Sequence, residues 1–345
     1  MIRKASIRDL HWLWPLLACI VLFVLILLFS PVLRFSILTA NLAAASFLAL
    51  VGFGQMFPVA SGEGGIDLSI PFVMNFCAFL AVQMVGSDAG SILFVLILAV
   101  GFGVAVGLVN GLVVVSFRIP PIIGTLAIGY VVLTLVQLIS SRGGATTFAA
   151  RGFTDLIRAD FLGLPTPFFV VLVIGGLAYA LINRTVYGRS LLAVGQSRQA
   201  AYLSGIHVDR TVLCAYLISG GLAGLTGVLL AASVGSADLE LGNPYLLASV
   251  GAVVLGGNRI AGGMVTVVGT VAGAILLTLL VAAVTVAGLP LEFQNIARGT
   301  VITLVLILAN APDRQTGGRW LPFLGRRAPR AQNQGSASMA EHGHG

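Results

Sequence analysis

Charge is the scarcest property of this 345-residue sequence, with 12 acidic residues and 19 Lys or Arg making up 9% of the chain. Soluble domains carry about 25% charged residues. With 58% of residues hydrophobic, water is excluded as the main solvent of the fold. Lysine is almost absent: Lys4 is the sole example. A phosphate-cradling Gly-x-x-x-x-Gly-Lys-Ser/Thr loop is therefore missing, and any nucleotide hydrolysis that powers the protein belongs to another polypeptide. Cysteine is sparse, and Cys19, Cys77 and Cys214 lie inside apolar runs without CxxC spacing. That pattern supports neither a zinc site nor a disulfide framework. Acidic residues all fall in expected loops or at the ends of apolar runs, which argues against the intramembrane carboxylate relay of an ion-coupled carrier.

What the sequence has in abundance is long uncharged runs. Those near 12–30, 37–59, 70–86, 92–117, 122–140, 166–182, 212–234, 245–257, 264–287 and 296–311 approach or exceed the roughly 20 residues that cross a bilayer core. The run at 245–257 is short and glycine-rich, so a tilted or re-entrant segment is expected there. Arg3, Lys4 and Arg8 precede the first run, which is too long for a signal-peptide core and lacks an A-x-A site, so an uncleaved first span is expected. Threading the spans from a cytoplasmic start places most Lys and Arg residues on one side, including Arg118, Arg184, Arg189, Arg198, Arg210 and Arg259. Positive loops stay in the cytoplasm. The expectation is an all-α polytopic membrane protein of about ten transmembrane helices with both termini cytoplasmic. The membrane region covers 1–311 with a cytosolic loop at 184–211, and 312–345 is a polar tail that cannot offset its ordering entropy. The formal charge of +7 is a topology signal rather than a nucleic-acid face. His342 and His344 sit in that tail without further metal ligands.

Small residues form stripes. Gly103, Gly107 and Gly111 recur every four residues, as do Gly220 with Gly224 and Gly269 with Gly273, a spacing that lets helix backbones approach closely in lipid. Uncharged polar residues inside the spans, Asn41, Gln55, Asn75, Gln83, Asn110 and Gln137, are candidates either for lining a solute path or for joining helices. Asn41 and Gln55 are about 40° apart around an ideal helix and are expected to share a face.

Two loops carry motifs. In Gly64-Gly65-Ile66-Asp67-Leu68-Ser69 the glycines allow a sharp turn, Asp67 or Ser69 is placed to cap the third span, and Pro71 fits its first turn. The segment Tyr187-Gly188-Arg189 through Ala193-Val194-Gly195 to Ala200-Ala201-Tyr202-Leu203-Ser204-Gly205-Ile206 contains a short helix at 198–204, capped by Ser197 and ended by Gly205. Its apolar residues Ala200, Ala201 and Leu203 offer a small surface to the groove of a soluble partner.

These segments resemble the ribose- and xylose-type permeases of ATP-binding-cassette importers. The matching stretches include the GGIDLS signature, Asn110-Gly111 with Arg118-Ile119-Pro120-Pro121 and Thr125-Leu126, and then Tyr216, Ser219-Gly220, Leu255-Gly256-Gly257 and Gly262-Gly263, in the family's order over roughly 40–310. Where such permeases carry an acidic, polar run, this chain has Leu246-Leu247-Ala248-Ser249. The resemblance implies an inner-membrane importer subunit with no catalytic residues, metal or cofactor of its own, ATP being bound by a partner ATPase. Its partners would be that ATPase, a second permease chain, identical or different, an external solute-binding protein and the bilayer, with no nucleic acid. Gly188, Arg189, Ala193, Gly195, Ala200, Ala201, Gly205 and Ile206 would form the ATPase-docking loop. Gly64, Gly65, Asp67, Ser69, Asn41, Gln55, Asn75 and Asn110 are candidates for the solute path or its gate. A monosaccharide or polyol is the expected solute. Branched-chain amino acids or nucleosides on the same machinery, an ion-coupled carrier, and a membrane scaffold are the alternatives.

Overall fold

The computed structural model describes residues 13–29, 35–85, 89–141 and 151–288, together with isolated positions between 290 and 303. The tail at 312–345 and most of the expected span at 296–311 lie outside the described residues. The rest is helical: α1 (Leu13–Phe29), α2 (Phe35–Ala60), α3 (Ile70–Met84), α4 (Ala89–Val115), α5 (Pro121–Ser141), α6 (Arg151–Arg158), α7 (Thr166–Arg184), α8 (Val186–Gln196), α9 (Arg198–Leu203), α10 (Val208–Val234), α11 (Tyr245–Leu255) and α12 (Val267–Val286). Between α6 and α7, β1 (Asp160–Phe161) and β2 (Leu164–Pro165) pair antiparallel, the one strand pairing among the described residues. Nine of these helices fall on the first nine expected spans, and six are long and apolar enough to cross a membrane.

The apolar runs divide into two kinds by burial. α4, α5 and α7 turn most of their surface outward, with Leu93, Ile97, Val131, Val173 and Leu177 exposed, whereas α2 and α10 are largely enclosed. In lipid an outward leucine is solvated as well as a buried one, so burial here is set by close packing rather than by hydrophobicity. Small residues do that work. α4 and α10 run antiparallel with their backbones in contact: a Cβ at Gly103 would overlap the Gly220 carbonyl oxygen, and one at Gly107 the Tyr216 carbonyl. α10 also packs on α2 and α3, and so forms the centre of the bundle.

One end of the bundle is basic. Arg118, Arg184, Arg189, Arg198, Arg210 and Arg259 occupy the loops and helix starts that gather there, and the turn after α2, the end of α8 and the turn after α11 meet at that end. At the other end, α6 sets Arg158 against the last carbonyls of α10. Its Nε donates to Ser233 (2.6 Å) and its Nη2 to Val234 (2.5 Å), a favourable place for a cation at a helix C-terminus.

After α10 the chain turns at Gly235, in the left-handed region with φ 83°, and comes back into the bundle. Asn75 on α3 donates to the Leu239 carbonyl (2.7 Å) and accepts from the Gly242 N–H (2.6 Å). α3 runs alongside α10, with Asp67 level with Ser219 and Met74 packed on Gly227. Gly242 therefore lies well below the end of α10. The 11 residues of α11 span only about 16 Å, half of a core of about 30 Å. Starting within the bundle, they suffice to reach the basic end. The glycine-rich run at 245–257 is thus the second half of a re-entrant passage, with its irregular backbone covered by protein.

Replacing Gly103 with Val should lower stability by about 1–3 kcal/mol through forced separation of α4 from α10, seen as a reduced melting temperature in detergent. Gly101→Val on the same helix, where a Cβ meets open space, should leave the melting temperature unchanged.

Candidate functional site

The signature after α2 folds into a tight reversal. Ser61 bonds back to the Pro58 carbonyl (2.7 Å), and Gly62, Glu63 and Gly64 are all left-handed. At Gly65 a side chain would collide with the Pro58 carbonyl, which is why the sequence has glycine there. The chain then climbs back beside α2, so that Asp67 sits next to Gln55, within the bundle and 1% exposed.

Asp67 is the sole acidic side chain that is buried among the described residues. Among the described residues no cationic side chain bonds it; hydrogen bonds solvate it instead. Its Oδ1 accepts from the Ser69 N–H (2.9 Å), the Ser69 hydroxyl (2.6 Å) and, more weakly, Asn110 Nδ2 (3.4 Å), while Oδ2 accepts from the Ser219 hydroxyl (2.7 Å). Asn110 Nδ2 also donates to Ser69 Oγ (2.7 Å). In the orientation that satisfies both its groups, the Gln55 carboxamide donates to the Asp67 carbonyl (3.0 Å) and accepts from the Asp67 N–H (3.2 Å). The Leu68 N–H donates to Thr125 Oγ1 (2.9 Å). Five helices thus meet around Asp67: α4 through Asn110, α10 through Ser219 and the start of α3 through Ser69 at its carboxylate, and α2 through Gln55 and α5 through Thr125 at the adjoining backbone. A network of this kind holds a defined arrangement because each unmet member would be costly in a low-dielectric interior.

The cap reading of the signature needs correction. Ser69 occupies the N-cap of α3 with Pro71 in the first turn as expected, but its side chain makes no cap bond; the hydroxyl donates to the Asp67 carboxylate and accepts from Asn110 Nδ2 instead. Asp67 and Ser69 tie helices together rather than capping one.

Toward the basic end, the hub continues into the α8–α9 segment. Thr185 starts α8 by accepting from the Gly188 N–H (3.1 Å), and Ser197 starts α9 by accepting from Ala200 (3.2 Å). Gly205, with φ 80°, ends α9, and the Ile206 N–H returns to the Ala201 carbonyl (3.0 Å). The expected caps at Ser197 and Gly205 are both in place. Gly62, Gly195 and Gly262 touch through their backbones, and Gly263 donates to the Ala60 carbonyl (3.1 Å). Arg198, the first residue of α9, pairs with Glu63 on the signature turn at 3.0 Å. The buried Tyr216 packs with Ala201, Val194, Val114 and Val212, within electrostatic reach of both Asp67 and Arg198.

The proposed docking residues therefore separate into two groups. Gly188 is buried against the Ile182 carbonyl, Gly195 faces the Ala60 carbonyl, and Ala193 is half-buried, so these hold α8 to the bundle. Ala201, only 3% exposed, points inward, contrary to its expected place on the apolar docking face. Arg189, Ala200 and Gly205 are exposed, and Ile206 is partly so. The largest outward groups are Tyr202 and Leu203, 72% and 78% exposed. Reading 198–204 with a helical wheel anchored on the Ser197 cap would have singled out Tyr202.

Among the polar residues of the spans, Gln55, Asn110 and Asp67 meet in the hub, while Asn75 holds the re-entrant loop and Asn41 lines a separate cleft. Asn41 and Gln55 thus serve different neighbours although they lie on one helix. Ser219, Thr125 and Tyr216 were legible only as parts of short motifs, since nothing in their own spacing marks them as partners of Asp67.

Residues 37–309 match the family model described as branched-chain amino acid transport system / permease component, and the chain belongs to that family. It is similar to the autoinducer 2 import system permease protein LsrD of Escherichia coli strain K12, 29% identical over 265 residues that cover 75% of this chain and 80% of the relative. The LsrD proteins of Shigella flexneri and of Escherichia coli O157:H7 show the same identity and coverage. No solved structure matches the chain.

Replacing Asp67 with Ala strands the Ser69 and Ser219 hydroxyls and the Asn110 amide, and should cost about 1–3 kcal/mol for each donor left without an acceptor. Ser219→Ala, which removes one bond to the charged group, should cost about 1.5–3 kcal/mol. Thermal unfolding in detergent checks both, and an Asp67→Ala protein as stable as the parent would show that the hub holds nothing together.

Proposed function

We propose that this chain is the membrane-embedded permease of an ATP-binding-cassette importer for a neutral, sugar-type solute, with the basic end in the cytoplasm of a bacterial inner membrane. The arginine-rich end fits the positive-inside tendency. A partner ATPase, a second permease chain and an external solute-binding protein complete the machine, as family membership and the resemblance to sugar permeases suggest. The observation that carries the reading is α9: a two-turn helix fixed at both ends, buried on one side through Ala201, and presenting Tyr202 and Leu203 outward at the basic end. A rigid apolar knob of this kind suits a groove on a soluble subunit. Through Arg198 and the Gly62–Gly195–Gly262 junction, its displacement bears directly on the turn that carries Asp67. ATP drives transport if it binds more tightly to the state in which these knobs are drawn together.

The family description favours a second reading, a branched-chain amino acid as solute on the same machinery. An ion-coupled carrier gains little support from Asp67, because its oxygens are occupied by fixed protein donors and it is enclosed by five helices.

Leu203→Glu should leave insertion and melting temperature unchanged while abolishing ATP-dependent uptake and co-purification of the ATPase. Tyr202→Ala should cut uptake about tenfold, the equivalent of 1.4 kcal/mol. Ala201→Glu, by contrast, should destabilise the protein itself. Normal ATP-dependent uptake by Leu203→Glu would contradict the docking assignment.

A further inference from the structure

At the end of the bundle away from the arginines, β1 and β2 form a hairpin between α6 and α7. Phe161 pairs with Leu164, so Leu162 and Gly163 make up the whole turn, and both have positive φ, 55° and 78°. A two-residue turn of this kind favours Asn-Gly, because asparagine enters the left-handed region more readily than an aliphatic residue does. Here the first position holds a leucine that is 85% exposed, and the neighbouring Phe161 is 63% exposed. Neither turn chemistry nor packing within the chain accounts for an apolar residue at this tip.

The level of the hairpin along the bundle follows from α7. Its 19 residues rise about 28 Å, close to the core thickness of about 30 Å. The last of them, Arg184, lies among the arginines of the basic end, so the first turn, 166–169, stands at the opposite edge of the hydrocarbon. Phe161 meets Phe169 edge-on with ring centroids 5.7 Å apart, and Phe168 meets Phe169 in the same way at 5.8 Å. The hairpin is thereby held at the level of the hydrocarbon edge rather than above it. Beyond the rings the outward face of α7 continues through Leu172, Val173 and Leu177, all more than half exposed, a face that lipid solvates. Phe161 and Leu162 prolong that face, while the charge of Asp160 falls on the other side of its strand. The hairpin is also fastened to the bundle: Thr166 donates its N–H (3.0 Å) and its hydroxyl (2.9 Å) to the Ala159 carbonyl, next to the Arg158 that holds the end of α10.

We propose that the 160–165 hairpin is an interfacial anchor, with Phe161 and Leu162 set into the boundary between headgroups and acyl chains of the leaflet opposite the basic end. An apolar tip gains by leaving water for that boundary, which explains leucine where the turn alone calls for asparagine. A soluble partner fits the tip poorly, because it would have to displace headgroups to reach Leu162. Through Thr166 and Arg158, the bilayer surface then holds the outer end of α10 in place. The inference goes beyond the importer reading and is independent of solute and energy source.

The test uses the full chain with Cys19, Cys77 and Cys214 replaced by Ala and a nitroxide on a single cysteine at Leu162, Asp155 or Val173, in vesicles of phosphatidylethanolamine and phosphatidylglycerol. Power-saturation EPR reads collisions with oxygen, which concentrates among acyl chains, and with a water-soluble nickel chelate. The oxygen-to-nickel collision ratio at Leu162→Cys should exceed that at Asp155→Cys about threefold or more and fall below that at Val173→Cys, as a shallow interfacial depth requires. Phe161→Cys should give the same ranking, which separates the position of the hairpin from a local effect of one label. A ratio at Leu162→Cys equal to that at Asp155→Cys would overturn the anchor and leave the tip in water, open to a soluble partner. Low collision with both reagents would overturn it as well, by placing the tip against protein such as a second permease chain.

Discussion

A carboxylate held inside a bundle of helices without a cation is an expensive feature, and the rest of this fold is arranged around meeting its requirements. Asp67 draws Ser69, Ser219 and Asn110 onto its two oxygens while Gln55 and Thr125 hold the peptides on either side of it. In lipid, apolar side chains give helices little reason to prefer one neighbour over another. A buried anion supplies that reason, since only one arrangement of α2, α3, α4, α5 and α10 satisfies it. The glycine stripes serve the same end, because Ser219 reaches Asp67 only if α10 lies close enough for Gly220 and Gly103 to touch.

The hub also lies on a route by which a push at the basic end can reach the interior through packed parts. Arg198 and Gly195 link the docking segment to the signature turn, and that turn leads within a few residues to Asp67. On the far side of α3, Asn75 carries the re-entrant loop. One short element, 61–75, is therefore fastened to α9 at one end and to the loop that leads into α11 at the other. Two discrete arrangements of this element would be enough to couple docking to access, which is the physical content that a claim of coupling requires.

Much of this was readable from the residues. Uncharged length located the membrane helices, Ser197 and Gly205 bounded α9, and the shortness of the 245–257 run marked a tilted or re-entrant segment before any geometry was known. What escaped has a common cause. Sequence periodicity reports which face of an element is apolar, but in lipid both faces are apolar, so it could not say that α2 and α10 are enclosed while α4, α5 and α7 face outward. Nor could spacing reveal that Ser219, 152 residues beyond Asp67, completes its shell. Partnership across that distance is fixed by tertiary packing, and the serine's own neighbourhood of small residues reads simply as a packing stripe.

The proposed importer takes its energy from outside the chain, and Asp67, the one acid buried among the described residues, is engaged in holding helices together. The most direct measurement is accumulation of labelled solute by vesicles containing the permease, with its binding protein supplied, in the presence and absence of the companion ATPase and ATP. Accumulation above the outside concentration only when ATPase and ATP are both present is the expected result. Accumulation by the permease alone, driven by an ion gradient, would contradict it.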